Sequence, residues 1–229
     1  LAEGAKGIIA LIPAYNEERF IADVVRGALK YLPAVVIDDG STDRTADVAE
    51  QAGAEVVRHK VNSGKGAALN TGFDLALARG ADAAITLDAD GQHDPDEIPL
   101  FIEAFRSDKG DLLIGQRSFS EMPAKNQFGN RTGTWLLSMA MGRPVPDNQS
   151  GYRLLSQDVM RTCKPTSTRF EAEVEILLRA QMAGFRIAWV PIKTIYNDKV
   201  SHFHPVRDSA RFLAMTGRIW QARRRGSFD

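Results

Sequence analysis

Cysteine occurs once in the 229 residues, at Cys163, so no internal disulfide can form, and no second Cys or His stands at metal spacing from it. A lone thiol of this kind is expected to be packed in the interior. Long apolar runs are missing too. The longest, such as Gly7–Ile12, reach six or seven residues, far short of the roughly 20 that cross a bilayer as a helix. The opening residues lack a basic region, an apolar core and a small-residue cleavage site, which sets the expectation of a cytoplasmic protein. Linkers rich in Pro, Gly and Ser are absent, and so are low-complexity tracts, so one domain is expected. Two phosphate-binding fingerprints are also missing. Neither Gly-x4-Gly-Lys-Ser/Thr nor Gly-x-Gly-x-x-Gly occurs, which weighs against ATPase and nicotinamide chemistry. Net charge is zero and no nucleic-acid motif is present, so nucleic acid is a poor partner.

What is present is an ordinary globular composition, 44% hydrophobic and 25% charged, with the charge unevenly spread. Residues 1–110 hold 19 acidic and 11 basic side chains, and residues 111–229 hold 10 and 18. An acidic half can hold a divalent cation and a basic half can hold phosphates. The apolar pattern alternates strand and helix: Gly7–Ile12 then Glu17–Tyr31, Ala34–Ile37 then Ser41–Ala52, Glu55–Val57 then Gly66–Ala78, Ala83–Leu87 then Pro95–Phe105. This predicts an α/β fold, an open and mostly parallel sheet with helices on both faces. After Ile114 the rhythm changes, with Gln127–Met141 and Glu171–Ala183 helical and Gly151–Leu155 and Arg186–Val190 extended.

In such a sheet ligands bind beyond the carboxyl ends of the strands. The first strand runs into Pro13-Ala-Tyr-Asn-Glu17, the second into Asp38-Asp39-Gly-Ser-Thr-Asp43, the fourth into Asp88-Ala-Asp90-Gly-Gln92. Helix capping accounts for Asn16, Ser41, Thr42 and Asp94. It does not account for Asp38, Asp39, Asp88 and Asp90 at one edge, where like charges repel unless a cation or a set of donors lies between them. On an extended segment Asp88 and Asp90 point the same way, with Gln92 two further on, and hard oxygens of this kind suit magnesium or manganese. An EF-hand is excluded, because loop positions six and twelve hold His93 and Pro99. Gly64-Lys65-Gly66 reads either as a loop that brings amides and an ammonium to an anion or as a flexible connection. Arg117, Arg131 and Arg153 offer guanidinium forks that suit phosphate oxygens.

Taken together, Pro13-Ala-Tyr-Asn-Glu17, Val36–Asp43, Asn62-x-Gly-Lys-Gly-x-Ala-Leu-Asn70, Leu87–Pro95 and Asp147-Asn-Gln-Ser-Gly-Tyr-Arg153 resemble family 2 glycosyltransferases of the GT-A fold. Among these the chain looks most like the polyprenyl-phosphate, dolichol-phosphate-like sugar transferases, over roughly residues 7–200. The resemblance implies an inverting transfer from a nucleotide diphosphate sugar, with a UDP- or GDP-linked donor. It implies that Pro13, Tyr15, Glu17, Asp39, Lys65 and Asp88 bind the nucleotide, and that Asp88, Asp90 and Gln92 hold Mg2+ or Mn2+ on the diphosphate. Asp90, Arg117, Arg131, Asp147 and Arg153 would carry the reaction, with Gln149 and Ser201 on the acceptor side. For a hydroxyl acceptor, Asp147 could take the proton; a lipid phosphate needs no base. The stretch Tyr196, Val200, Ser201, His202 departs from the Arg, Gly and Ser-Lys signature of the dolichol enzymes and leaves a bacterial-type lipid carrier open. His202 and His204 alternate as metal ligands or as ordinary loop histidines do.

Residues 1–205 are therefore expected to form the catalytic domain and 206–229 a basic amphipathic tail, with Phe212, Met215, Ile219 and Ala222 on one stripe. Such a tail can lie on an anionic membrane or pack on the core or a dimer partner. The expected reaction is sugar transfer to a polyprenyl phosphate at the inner membrane face. The alternatives are transfer to a saccharide hydroxyl, a sugar nucleotidyltransferase lacking its Gly-rich loop, and a nucleotide-sugar-binding or membrane scaffold without turnover.

Overall fold

The structure, a computed structural model, describes residues 7–117, 134–135, 137–139, 141–147, 150–168, 171–193, 195 and 217. The expected tail, apart from residue 217, and the candidate residues Arg131, Gln149, Ser201, His202 and His204 lie outside them. The described elements are β1 (Ile8–Ala14), α1 (Ile21–Leu29), β2 (Ala34–Asp38), α2 (Thr45–Gln51), β3 (Glu55–Arg58), α3 (Lys65–Ala78) and β4 (Ala83–Thr86). After a 3-10 turn at Pro95–Glu97 come α4 (Ile98–Arg106), β5 (Leu112–Arg117), β6 (Arg153–Ser156), α5 (Gln157–Thr162), α6 (Glu171–Met182) and β7 (Ile187–Ile192).

The seven strands form one sheet in the order β3-β2-β1-β4-β6-β5-β7. Only β6 runs against its neighbours, pairing antiparallel with β4 and β5. Both faces are covered. Ile9, Leu11, Val35 and Ile37 pack with Phe73 of α3, Val159 and Met160 of α5, and Ile176 and Leu177 of α6. Alternate residues Ile8, Ala10, Ile12 and Val36 pack on the other face with Val24 and Val25 of α1, Ala49 of α2, and Ile98 and Phe101 of α4. Burial on both faces is why these strands read as continuous apolar runs. Cys163 is buried in the first of these clusters, and burial pushes its thiol up to about 11, as expected of a packed thiol.

Element boundaries differ from the apolar pattern where loops are held by side chains. In α1 the buried positions Ile21, Val24, Val25 and Ala28 keep helical spacing, but the helix begins four residues later than Glu17. Residues Asn16–Glu18 are instead tied across to the loop after β2. The same ties shorten α2, which starts at Thr45 rather than Ser41. Of the stretch 127–141, the described residues 134, 135, 137–139 and 141 are helical.

Phe73 has no exposed surface and bridges α3 to the sheet. Phe73→Ala is expected to cost about 3–5 kcal/mol, read as a fall in the urea midpoint at unchanged slope; an unchanged midpoint would contradict this packing.

Candidate active site

Strands β1 to β5 and β7 run parallel, so their carboxyl ends lie on one edge, and the loops that follow them form a crevice. Two of these loops are stitched together. Asn16, at φ 55°, donates its amide to Ser41 Oγ (2.9 Å) and accepts from the Thr42 amide (2.8 Å). The Glu17 amide reaches Thr45 Oγ1 (2.7 Å), and the Glu18 amide reaches Asp43 (3.2 Å). Burial would raise the Asp43 carboxyl, but hydrogen bonds from Thr45 and the Glu18 amide outweigh it and hold the group below its ordinary value. Beside this seam the Tyr15 ring stands 44% exposed at the end of β1, a flat surface for a base or sugar.

The acidic strand ends find their partners locally. Asp39 is buried and accepts from the amides of Ser63 (3.0 Å) and Gly64 (2.6 Å) and from His59 Nδ1 (2.7 Å). Asp88 pairs with Lys65 Nζ at 2.5 Å, and the same ammonium lies 2.8 Å from Glu173 at the start of α6. Burial would lower the Lys65 ammonium, yet the charges of Asp88 and Glu173 prevail and hold it above its ordinary value. The repulsion inferred from the sequence is thus relieved at Asp39 by amide donors and an imidazole, and at Asp88 by a lysine.

Next to Asp88, His93 is buried, and its Nδ1 accepts from the Asp88 amide (3.2 Å). Burial lowers this imidazole, with Lys65 and Arg117 acting the same way against Asp88 and Asp90, and an Nδ1 that accepts an amide leaves the ring proton on Nε2. The ring stacks near Tyr152, which stacks on Phe101 (4.5 Å between centroids), so the loop after β4 rests on a layer of rings.

Across the crevice Arg117, at the end of β5, makes a bidentate pair with Asp147, Nε to Oδ2 at 2.7 Å and Nη2 to Oδ1 at 3.0 Å. Desolvation opposes the Arg117 charge, but Asp147 outweighs it and keeps the guanidinium above its ordinary value. Asp147 itself has no exposed surface. Arg153 is buried as well, donating to the carbonyls of Ser150 (2.9 Å) and Glu173 (2.5 Å). Burial lowers its guanidinium, with Glu173 the largest opposing charge.

Several expectations change. Asp88 and Asp90 do not lie on one extended run: β4 ends at Thr86 and the chain turns at Ala89 and Asp90, where Asp90 Oδ1 accepts from the Gln92 amide (3.1 Å). Both carboxylates and Gln92 still sit half-buried at the rim. Gly64-Lys65-Gly66 is neither a cradle of free amides nor a slack connection. The Gly64 amide is taken by Asp39 and the Gly66 amide by Thr168 O. A Cβ on Gly64 would lie 2.1 Å from Thr168 O, and one on Gly66 2.0 Å from Ser167 O, so the glycines permit a close backbone crossing. Arg153 lies under the crevice rather than along it, and Asp147 backs Arg117 rather than facing outward. Pro13 and Glu17 sit half-buried on the first strand end. His59, His93 and Glu173 had no role in the sequence reading. His93 stood inside the Leu87–Pro95 motif, and Glu173 inside the helical stretch Glu171–Ala183.

The donor set fits a hard cation that keeps open positions. Among the described residues no group of three or more His, Cys, Asp or Glu could hold a metal by itself. Two rim carboxylates, one already paired with a lysine, suit an ion that takes its other ligands from a diphosphate and water.

Gly66 tests the crossing with a sign. In an open helix Gly→Ala would stabilise by up to about 1 kcal/mol, whereas here Gly66→Ala is expected to destabilise by about 1–3 kcal/mol. A denaturation midpoint that rises would contradict the close approach to Ser167.

Known proteins resemble this chain in sequence and in fold. The chain is 33% identical over 219 residues to a UDP-N-acetylglucosamine--dolichyl-phosphate N-acetylglucosaminyltransferase of Methanococcus voltae, covering 84% of this chain and 87% of that one. It is 30% identical over 201 residues to an undecaprenyl-phosphate mannosyltransferase of Micrococcus luteus, covering 81% and 82%. A solved glucosyl-3-phosphoglycerate synthase from Mycobacterium tuberculosis, in complex with Mn2+, UDP and phosphoglyceric acid, shares the fold with a TM-score of 0.70 at 22% identity, covering 97% of this chain and 79% of that one. The sequence model of glycosyl transferase family 2 matches residues 9–164, and the chain belongs to that family.

Proposed function

We propose that this protein transfers a sugar, with inversion, from a nucleotide diphosphate sugar to a polyprenyl phosphate. The observation that carries the reading is the crevice itself. An exposed Tyr15 ring, an acidic rim at Asp88 and Asp90, and an arginine at Arg117 held rigid by Asp147 stand along one sheet edge. Tyr15, with Pro13 and Glu17, is the surface for base and ribose, Asp39 reads the nucleotide from below, and Lys65 holds Asp88 in place. The cation that Asp90, Asp88 and Gln92 would hold supplies charge stabilisation to the departing nucleoside diphosphate. Arg117, fixed in orientation by two hydrogen bonds, presents its guanidinium to phosphate oxygens, and Arg131 serves the same end.

The chemistry of the acceptor follows from Asp147. A hydroxyl acceptor needs a base, and the carboxylate that the sequence offers for it is buried and doubly bonded to Arg117. A lipid phosphate arrives ionised, so positioning and electrostatics suffice. The relatives that act on dolichyl and undecaprenyl phosphates support the same choice. Gln149 and Ser201 belong to the acceptor side in this reading, and Arg153 acts through the Ser150 and Glu173 backbone that it holds.

No helix among the described residues is long and apolar enough to cross a membrane. Access to a lipid acceptor is assigned to peripheral binding at the inner membrane face through the basic tail, residues 206–229.

Calorimetric titration with UDP and GDP, with and without Mn2+, tests the donor. One nucleotide is expected to bind with metal dependence, and Asp90→Ala to abolish that dependence while thermal stability stays within about 1 kcal/mol. Binding of neither nucleotide overturns the reading. Deleting residues 207–229 is expected to reduce the fraction bound to anionic vesicles at low salt, each basic residue near the surface contributing on the order of 1 kcal/mol. An unchanged fraction assigns the tail to packing.

A further inference from the structure

A line of hydrogen bonds runs from α3 to the floor of the crevice, and His59 stands at its centre. The ring lies just beyond the end of β3, where the His59 amide donates to Asp38 O (2.8 Å). Its Nδ1 meets Asp39 Oδ1 at 2.7 Å and its Nε2 meets Thr71 Oγ1 of α3 at 2.9 Å. The His59 side chain is 17% exposed and that of Asp39 5%. A carboxylate offers an imidazole lone pairs and no hydrogen, so Nδ1 carries the proton in this contact. Nε2 then accepts from the Thr71 hydroxyl when the ring is neutral and donates to it when the ring is charged, since a hydroxyl does both.

Asp39 passes this constraint on. Oδ1 also takes the Ser63 amide, and Oδ2 takes the Gly64 amide, which leaves one acceptor direction on Oδ2 open. The backbone of Val61 and Asn62 lies against Gly40, where a Cβ would stand 2.6 Å from the Val61 carbonyl carbon. The His59–Gly64 loop is therefore fixed from two sides, and it leads directly to Lys65, which holds Asp88. Asp39 thus holds the two residues that directly precede Lys65.

We propose that His59 is a positioning residue for the donor nucleotide: through its Nδ1 hydrogen bond it fixes the Asp39 carboxylate, and with it the loop that carries Lys65. The inference rests on the nucleotide-sugar reading above. It names a residue that acts through Asp39, which reads the nucleotide, and through Lys65, which holds Asp88.

Two amide variants separate this role from simple packing. An asparagine amide nitrogen falls near the place of Nδ1, and a glutamine amide nitrogen near that of Nε2. Calorimetry with UDP and GDP in the presence of Mn2+ is expected to show about tenfold weaker binding for His59→Ala and His59→Gln, the loss of one hydrogen bond to a charged group. His59→Asn should stay within about threefold of the wild type. If Asn binds as weakly as Ala, or Ala binds as tightly as the wild type, the inference falls while the donor reading stands. If the wild type binds neither nucleotide, both fall. An independent readout uses the unaltered protein: 15N NMR of the His59 ring is expected to show a protonated Nδ1, and a neutral ring protonated at Nε2 would overturn the proposal.

Discussion

The Lys65 ammonium, held between Asp88 and Glu173, is the interaction on which the crevice depends. A parallel sheet that gathers acidic residues at one edge needs a counter-charge there, and the chain supplies one from the first turn of α3. Placing it requires the segment before α3 to pass within backbone contact of residues 167 and 168, which is why Gly64 and Gly66 flank the lysine. Gly151 completes the fit from the other side, since a Cβ there would lie 2.4 Å from Asp88 Oδ2. Asp88 is thereby fixed in direction, and Asp90, two residues further on, sits half-buried at the rim.

A division of labour follows along the sheet edge. Loops after β1, β2 and β3 are tied to one another by backbone amides that donate to the side chains of Ser41, Asp43, Thr45 and Asp39. Such a floor is preorganised, so a ligand that docks on it loses little free energy to ordering the protein. Across from it, Arg117 and Asp147 give a charge with a fixed fork geometry, backed by the Trp189 indole that donates to Asp147 O (3.0 Å). Arg153 lies beneath both halves and ties β6 to the start of α6.

Much of the fold was legible in the sequence because strands buried on both faces leave continuous apolar runs, and α1 shows its buried face at helical spacing. The antiparallel β6 was not legible, since direction within a sheet depends on how a chain returns from outside the alternating region. Of the site, the positions Tyr15, Asp39, Asp88 and Asp90 could be read from where they follow strands, and Arg117 from the fit of a guanidinium to phosphate oxygens. Their states could not. Nothing local in the sequence tells that Asp147 closes on Arg117 across 30 residues, or that Glu173 reaches Lys65. The two glycines around Lys65 read as freedom of the backbone, whereas their function is to admit a second backbone. His59 was invisible for a similar reason: a lone histidine after a strand is unremarkable until Thr71, one helix away, comes beneath it.

The most direct test of this account is the position of the cation, found by anomalous diffraction from crystals of the protein grown with Mn2+ and the nucleoside diphosphate that it binds. The account predicts manganese within coordination distance of an Asp90 carboxylate oxygen, with the base against Tyr15 and Lys65 still bridging Asp88 and Glu173. Manganese and nucleotide bound away from the carboxyl edge of the sheet would contradict it.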